Sequence, residues 1–254
     1  MIRRFVLFRL LAAFCFVASG ALADVEASET AAAAVGATTS GAAAGPSKVD
    51  FLPQKPVENG ISVGLRVGYA LTFGDATGGS TLNAGANGQI PFWFDAGYLV
   101  NPYLYLGAYF SYGVVLIPGG FNYPPCGTSG VSCSGSDVRF GADLQYRLLG
   151  RSAFQPWIGL GCLGYERIHW SVSNSGTSEA IAFNGIEWVT PQAGFDYKIF
   201  PSLSAGLFLA FSISQYLGTS LSVQNGMSKP ATMNGNPAHE WMFLGGRVNY
   251  DLHL

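Results

Sequence analysis

The amino-acid sequence predicts an all-β fold, an eight-stranded antiparallel up-and-down barrel that crosses a membrane. Three observations lead to this prediction: a low content of charge, strand segments with one apolar face, and short connections that alternate with long ones. Of the 254 residues, 49% are hydrophobic and 11% are charged, whereas about 25% of the residues in a typical soluble domain are charged. Part of the folded surface is therefore not expected to face water. The formal net charge of −2 and the lack of a basic stripe argue against nucleic-acid binding.

The N-terminal segment, residues 1–23, is typical of a secretory signal peptide. Arg3 and Arg4 precede an apolar run from Phe5 to Val17, and Ala21-Leu22-Ala23 provides small residues before the predicted cleavage site. We expect cleavage after Ala23 and export from the cytoplasm. The alternative is a transmembrane anchor, but so short an apolar run underspans a bilayer core of about 30 Å.

Residues 24–59 differ in composition from the rest of the chain. They contain four consecutive alanines at 31–34, then a stretch of Gly, Ala, Thr and Ser, and then prolines between residues 46 and 56. Because such a segment cannot build an apolar core, we predict a flexible leader on the periplasmic side. A short helix from Glu26 to Val35 is the alternative, since alanine favours helix.

Residues 60–254 are predicted to form the barrel because apolar side chains there alternate with small or polar ones, as in strands. The first segment has an apolar residue at every odd position from Ile61 to Phe73, whereas the even positions between them hold Ser, Gly, Arg, Ala and Thr. It is about twice as long as a typical soluble strand and long enough to cross a bilayer at a tilt of about 45°. The predicted strands are 61–73, 90–100, 104–114, 137–148, 156–170, 185–199, 203–216 and 241–254.

The connections between these segments alternate in length. Tight turns on one side of a membrane and longer loops on the other are typical of up-and-down barrels. A soluble β-sandwich, in which the apolar faces pack on each other, is the alternative. The short connections are 101–102, 149–155 and 200–202, and the long ones are 74–89, 116–136, 171–184 and 217–238.

Four tyrosines recur at one height on the predicted apolar faces. Tyr98, Tyr146 and Tyr197 each precede a short connection by about three residues, and Tyr250 has the matching place near the C-terminus. Tyrosine rings favour the headgroup boundary of a membrane, where the hydroxyl reaches water and the ring lies in lipid. We therefore predict that these four residues form an aromatic girdle.

The pattern over residues 58–254 resembles the eight-stranded outer-membrane β-barrel family, of the OmpA-barrel and OmpX kind. The last segment is similar to the C-terminal strand signal that the barrel assembly machinery reads, although it ends in Leu rather than the commoner Phe. The resemblance implies a porin-like, monomeric protein of the Gram-negative cell envelope, surrounded by outer-membrane lipid and lipopolysaccharide. The residues that carry the strand signal are Val248, Tyr250, Leu252 and Leu254.

The interior of an eight-stranded barrel is just wide enough for side chains to fill. Buried charges cost several kcal/mol each unless they are paired, so we predict a polar network of ion pairs that plugs the barrel. A proton or ion path is the alternative. Tyr105 and Tyr109 are also predicted to point inward. The ionisable residues predicted in this network are Arg66, Asp95, Arg139, Asp143, Arg147, Asp196, Lys198, Arg247 and Asp251.

Three cysteines follow the signal peptide. Cys126 and Cys133 lie seven residues apart in a loop rich in Pro, Gly and Ser, and an exported loop is in an oxidising compartment, so we predict a disulfide. A metal site is the alternative, but the three histidines are scattered along the chain. No metal and no cofactor are expected. Cys162 alternates with Ile158 and Leu160 and is predicted to be an inert residue of the lipid-facing surface.

One fragment resembles part of an enzyme active site. His169 and Ser171 are similar to the His-x-Ser arrangement of outer-membrane lipid A deacylases, in which an acid orients the histidine and the histidine activates the serine. Glu179 or Glu187 could provide the acid. The alternative is a pair of polar residues where a strand leaves the membrane, and we predict no enzymatic activity.

Strand alternation decides whether this pair could meet a lipid. Unbroken alternation along the fifth segment turns His169 and Ser171 inward, away from an acyl chain. A β-bulge at Gly164 would reverse their direction and would also turn Glu166 away from lipid.

The sequence therefore predicts a small non-enzymatic outer-membrane barrel with a structural, membrane-integrity or surface-interaction role through its extracellular loops. A narrow pore or a conduit for hydrophobic ligands is the first alternative. A hydrolase of the lipid A deacylase kind is the second.

Overall fold

A computed structural model of the chain describes residues 59–77, 79–119, 126–174, 177–223, 227–231 and 235–253. The predicted signal peptide and residues 24–58 of the predicted leader lie outside the described residues, so both stay predictions. In the part of the chain that the structure describes, no helix is long and apolar enough to span a membrane.

Eight long strands follow one another along the chain, one for each predicted segment. The long strands are β1 (Gly60–Thr77), β2 (Gly88–Leu99), β3 (Leu104–Leu116), β4 (Val131–Arg147), β5 (Phe154–Asn174), β6 (Thr177–Lys198), β7 (Leu203–Val223) and β8 (Ala238–His253). Among the described residues, two short strands lie at the long-loop end, where Ser80–Thr81 pairs with β1 and Met227–Ala231 pairs with β7.

The eight long strands form one closed barrel. Each strand pairs antiparallel with its neighbours in chain order. The barrel closes where Gly60 to Gly74 of β1 pair with His253 to His239 of β8. The predicted fold class is therefore confirmed, and the β-sandwich alternative is wrong because the first and last strands pair with each other.

The apolar faces predicted from the alternation point away from the barrel interior. On β1, for example, Leu65, Tyr69 and Phe73 are 52%, 42% and 45% exposed. Comparable apolar side chains cover the outside of the other seven strands. A closed barrel with an apolar outer band and a polar interior is the architecture of a transmembrane β-barrel.

The two ends of the barrel differ more than the sequence predicts. The short connections are turns as expected, but the predicted long connection at 171–184 is mostly strand, because β5 continues to Asn174 and β6 begins at Thr177. These extensions are rich in Ser, Thr and Ala, so the strong apolar alternation ends where the wall leaves lipid while the strand pairing continues. The wall from β4 to β7 consists of strands of 17, 21, 22 and 21 residues, against 12 and 13 residues in β2 and β3.

The strand pairing of this longer wall is irregular at three points, one between β4 and β5 and two between β6 and β7. In β5, Leu163 and Gly164 together oppose Gly141 of β4, which is a β-bulge. Leu163 has a φ of 54°, a left-handed conformation that costs a non-glycine residue about 1–2 kcal/mol. In β6 the register against β7 shifts between Glu187 and Val189. On the long-loop side of these irregularities in β5 and β6, residues that unbroken alternation would turn toward lipid face the interior instead.

Candidate functional site

The barrel interior is filled with charged, polar and aromatic side chains from all eight strands. Of the nine ionisable residues predicted there, eight take part in salt bridges. The ninth, Lys198, is half-buried at the short-turn end and forms no salt bridge with any described residue. Buried carboxylates outnumber buried arginines by seven to four in the described residues. Three of these carboxylates were not among the predicted residues: Asp137, Glu166 and Glu187.

Two ion pairs occupy the interior at the short-turn end. Arg147 Nη1 lies 3.0 Å from Asp251 Oδ2, and the hydroxyl of Ser62 donates a hydrogen bond of 2.6 Å to Asp251 Oδ1. Arg247 Nη2 lies 2.9 Å from Asp196 Oδ2. Both arginines are nearly inaccessible to solvent, so each cation is neutralised inside the barrel.

A second group, which we name the Arg66 cluster, lies further along the interior and consists of Arg66, Asp95, Asp143 and Gln192. Arg66 Nε lies 2.6 Å from Asp95 Oδ2, and its Nη2 lies 3.1 Å from Asp143 Oδ2. Its Nη1 donates to the side-chain oxygen of Gln192. The guanidinium lies 5.0 Å from the centroid of the Trp93 ring, which adds a cation–π contact.

A third group, the Arg139 cluster, consists of Asp137, Arg139, Glu166 and Glu187 and lies nearer the long-loop end. Arg139 Nε lies 2.7 Å from Asp137 Oδ2, and Nη2 lies 2.7 Å from Glu166 Oε1. Nη1 lies 3.2 Å from Glu187 Oε2. One guanidinium therefore serves three carboxylates, all of them at most 1% exposed.

Three further side chains contact the carboxylate of Glu166. Tyr216 Oη and Trp241 Nε1 each donate a hydrogen bond of 3.1 Å to Glu166 Oε1. His239 Nε2 lies 3.0 Å from Glu166 Oε2, and its ring stacks on Tyr216 at a centroid distance of 3.9 Å. A buried carboxylate is tolerated when its oxygens accept several hydrogen bonds, as they do here.

Glu187 is held by a phenol that fits between two glycines. Tyr109 Oη donates a hydrogen bond of 2.6 Å to Glu187 Oε1, and the Thr190 hydroxyl donates to the same oxygen. A Cβ atom at either Gly141 or Gly164 would lie 2.7 Å from Tyr109 Oη. The β-bulge and the small residues around it therefore make room for this phenol.

The two register irregularities explain why Glu166 and Glu187 were missed. Unbroken alternation places both carboxylates on the lipid face, where charge is costly. The bulge at Leu163 and the shift near Val189 turn them into the interior instead. A carboxylate that alternation assigns to lipid is itself the signal that could have predicted these irregularities.

The same bulge reverses the direction of the His-x-Ser pair. His169 and Ser171 lie on the outer face of β5, so the prediction from unbroken alternation, which turned them inward, is wrong. The bulge that would reverse this direction, considered above as a possibility at Gly164, is present at Leu163 and Gly164. Ser171 Oγ lies 2.8 Å from Ser134 Oγ.

Neither of the two acids considered for the hydrolase alternative is placed to orient His169. Glu187 is fully buried in the interior, on the opposite side of the wall from His169, so it cannot orient the imidazole. Glu179 pairs with Val172, and the side chain of Val172 alternates in direction with those of His169 and Ser171. Burial, followed by the charge of Arg167, lowers the pKa of His169, and no carboxylate counters these effects.

The remaining predicted residues lie on the outer surface or at its ends. The girdle residues Tyr98, Tyr146, Tyr197 and Tyr250 are 41%, 47%, 54% and 44% exposed on the outer face near the short-turn end. Three residues of the strand signal, Val248, Tyr250 and Leu252, also face outward, and Leu254 lies outside the described residues.

The described cysteines form one disulfide and no metal site. Cys126 and Cys133 form a disulfide, and Cys162 is half-buried in β5. Among the described residues, no group of three His, Cys, Asp or Glu side chains could hold a metal ion. A cleft of about 350 Å³ adjoins the disulfide and is lined by Val115, Leu116, Ile117, Gly119, Cys126, Gly127 and Cys133.

Several solved structures with a similar arrangement of strands are outer-membrane proteins. A major outer membrane protein from Thermus thermophilus is 16% identical over 76% of this chain and 99% of its own, with a TM-score of 0.47. Neisserial surface protein A is 13% identical over 76% and 97%, with a TM-score of 0.45. OprG from Pseudomonas aeruginosa is 15% identical over 78% and 98%, with a TM-score of 0.43. No protein-family model matches the sequence, and no curated protein matches it significantly.

Proposed function

We propose that the protein is a small non-enzymatic outer-membrane barrel, closed to solutes, with a structural or surface-interaction role at its long-loop end. The observation that carries this proposal is the interior: four arginines and seven carboxylates, all buried, form connected networks across it. A solute that crossed the barrel would have to break several buried ion pairs, each of which costs about 3–5 kcal/mol to break. The same barrier argues against a narrow pore and against a conduit along the barrel axis.

The direction of insertion follows from the two ends. Outer-membrane barrels keep short turns in the periplasm and longer segments outside the cell. With this orientation the predicted leader begins in the periplasm and the girdle tyrosines lie at the periplasmic headgroups. Outer-membrane lipid, lipopolysaccharide and the barrel assembly machinery are then its expected contacts, and we propose that it acts as a monomer after removal of a signal peptide.

The long-loop end provides the interaction surface. At about 3.3 Å per residue and a tilt of about 40°, the 22 residues of β6 rise by about 55 Å, and the 12 residues of β2 rise by about 30 Å. The wall from β4 to β7 therefore projects well beyond a hydrocarbon band of about 25 Å. The disulfide and the adjoining cleft lie at this end of the barrel.

A labelling experiment in whole cells tests the location and orientation. Ser173 is exposed in the projecting part of β5, and Arg151 is exposed in a turn at the other end. In a Cys162→Ser background, Ser173→Cys should react with a membrane-impermeant thiol reagent added to intact cells, whereas Arg151→Cys should react only after lysis. Labelling of both variants, or of neither, in intact cells would contradict the proposal.

Measurements on the purified protein test the closed, non-enzymatic interior. Folded barrel should migrate differently in SDS gels before and after boiling, should give no single-channel steps in planar bilayers, and should leave the acyl chains of lipid A intact. Conductance steps would support the pore instead. Loss of an acyl chain that Ser171→Ala abolishes would support the hydrolase.

A further inference from the structure

The outer wall carries a group of polar side chains where β4, β5 and β6 leave the apolar band. We name this group the outer polar patch. Strand pairing places Arg167 beside Asn184 of β6, and it places His169 beside Ser136 of β4. The bulge at Leu163 is what turns these β5 residues outward. The outer polar patch consists of Ser134, Ser136, Arg167, His169, Ser171 and Asn184.

Arg167 differs from the other arginines that the structure describes. It is exposed on the outer wall and forms no salt bridge with any described residue. Arg151 is exposed too, but it lies in a turn at the short-turn end. The other four are buried in the interior and paired with carboxylates: Arg66, Arg139, Arg147 and Arg247.

The height of Arg167 places it at a membrane boundary. Ile158 of β5 pairs with Tyr146 of the girdle, which marks the periplasmic boundary. Arg167 follows nine residues later on the same strand, but one of these is the additional residue of the bulge, since Arg167 pairs with Val138, eight residues before Tyr146. Eight steps at the usual strand rise and tilt amount to about 20 Å. The apolar band of an outer-membrane barrel is about 25 Å tall, so Arg167 lies close to the outer edge of the band, and its long side chain reaches the headgroups of the outer leaflet.

The chemistry of the outer polar patch suits an anion. Tyr165 Oη donates a hydrogen bond of 2.9 Å to Asn184 Oδ1, which leaves the amide NH2 of Asn184 as a donor. No member of the patch is a carboxylate. Burial and the charge of Arg167 both lower the pKa of His169, so Arg167 is the main cation of the patch. An exposed guanidinium with neighbouring neutral donors matches the fork geometry of a phosphate.

We propose that the outer polar patch binds a phosphate of the lipid A headgroup in the outer leaflet, with Arg167 as the main donor. The occupant follows from position and charge: the patch faces sideways from the barrel at headgroup level, and the headgroup there is a phosphorylated sugar. The inference rests on the proposed outer-membrane location and adds to it a specific lipid-binding site.

Lipid binding to the folded barrel tests the proposal. The protein is refolded in phosphatidylcholine vesicles that contain either bisphosphorylated lipid A or its dephosphorylated form, and retained lipid A is measured by native mass spectrometry. Wild type should retain the phosphorylated form about tenfold better, which is about 1.4 kcal/mol. Arg167→Gln should lose this preference. Arg151→Gln, which removes an equally exposed cation from the other end, should keep it.

Three results would contradict a lipid A phosphate site at Arg167. Equal preference in wild type and Arg167→Gln would overturn the proposal, as would equal losses in Arg167→Gln and Arg151→Gln. Complete displacement of lipid A by millimolar inorganic phosphate would assign the patch to free phosphate and would also overturn it. If the proposed outer-membrane location is wrong, Ser173→Cys will not be labelled in intact cells. That result distinguishes a wrong location from a wrong lipid A site.

Discussion

The Arg66 cluster and the Arg139 cluster solve the same problem with different charge balances. Each contains one fully buried arginine that lies over aromatic rings, Trp93 at 5.0 Å for Arg66 and Trp241 at 5.1 Å for Arg139. Arg66 contacts two carboxylates, whereas Arg139 contacts three. The additional negative charge is met by neutral donors, among them the phenol of Tyr109. Hydrogen bonds, and not only ion pairs, hold the barrel interior together.

The two clusters also differ in how the backbone builds them. Asp95 and Asp143 reach Arg66 from strands whose alternation is unbroken up to that height. Glu166 and Glu187 reach Arg139 only because β5 and β6 each contain a register irregularity. The Arg139 cluster should therefore depend on the number of residues at the bulge, and the Arg66 cluster should not.

Deletion of Leu163 together with Gly164 is expected to have the largest effect. Regular alternation then runs from Cys162 directly to Tyr165, which turns Glu166 toward lipid and removes it from Arg139. Glu166 then loses its hydrogen-bond donors, and its charge lies in lipid. We expect these two losses together to lower the free energy of unfolding by more than about 5 kcal/mol. Deletion of Leu163 alone removes only the additional residue of the bulge and leaves Glu166 facing the interior. The measurements are heat-modified mobility in SDS gels and unfolding by guanidinium in lipid vesicles.

The control keeps the bulge and changes only the side chain. Leu163→Gly suits the positive φ of 54°, so it should fold and lie within about 1 kcal/mol of wild type. If the variant that lacks both Leu163 and Gly164 proved as stable as Leu163→Gly, the inward position of Glu166 would not stabilise the barrel.

Removal of each arginine gives the next largest effect and compares the clusters directly. Arg139→Met leaves three buried carboxylates without their cation, and Arg66→Met leaves two. Breaking a buried ion pair costs about 3–5 kcal/mol, so we expect Arg139→Met near the upper end of that range and Arg66→Met near the lower end. The free energy of unfolding is measured with guanidinium in lipid vesicles.

Lys198 provides the matched control for these variants. It is half-buried inside the same wall but forms no salt bridge with any described residue. Lys198→Met should therefore change stability by less than about 1 kcal/mol. If Arg66→Met proved more costly than Arg139→Met, the number of stranded carboxylates would not decide the stability of the interior.

The fold and the Arg66 cluster could be predicted from the sequence, because lipid constrains which residues of each strand face outward. Lipid imposes apolar alternation on every strand, so Arg66, Asp95 and Asp143 could be assigned to the interior by counting. That constraint ends above the membrane, where the extents of β5 and β6 were underestimated. It also fails at a bulge, where one additional residue moves Glu166 to the other face without changing any residue type.

The smallest expected effect comes from one phenol hydroxyl, and two tyrosines of β3 allow it to be measured. Tyr109 and Tyr105 lie on the same face of β3, and each is 3% exposed. Tyr109 Oη donates a hydrogen bond of 2.6 Å to Glu187, whereas Tyr105 Oη has no hydrogen-bond partner among the described residues. Tyr109→Phe should therefore cost about 2 kcal/mol, as expected for a hydrogen bond to a charged group, while Tyr105→Phe should be neutral or slightly stabilising. Both are measured by guanidinium unfolding in vesicles, and equal effects of the two substitutions would show that the hydroxyl of Tyr109 does not stabilise Glu187.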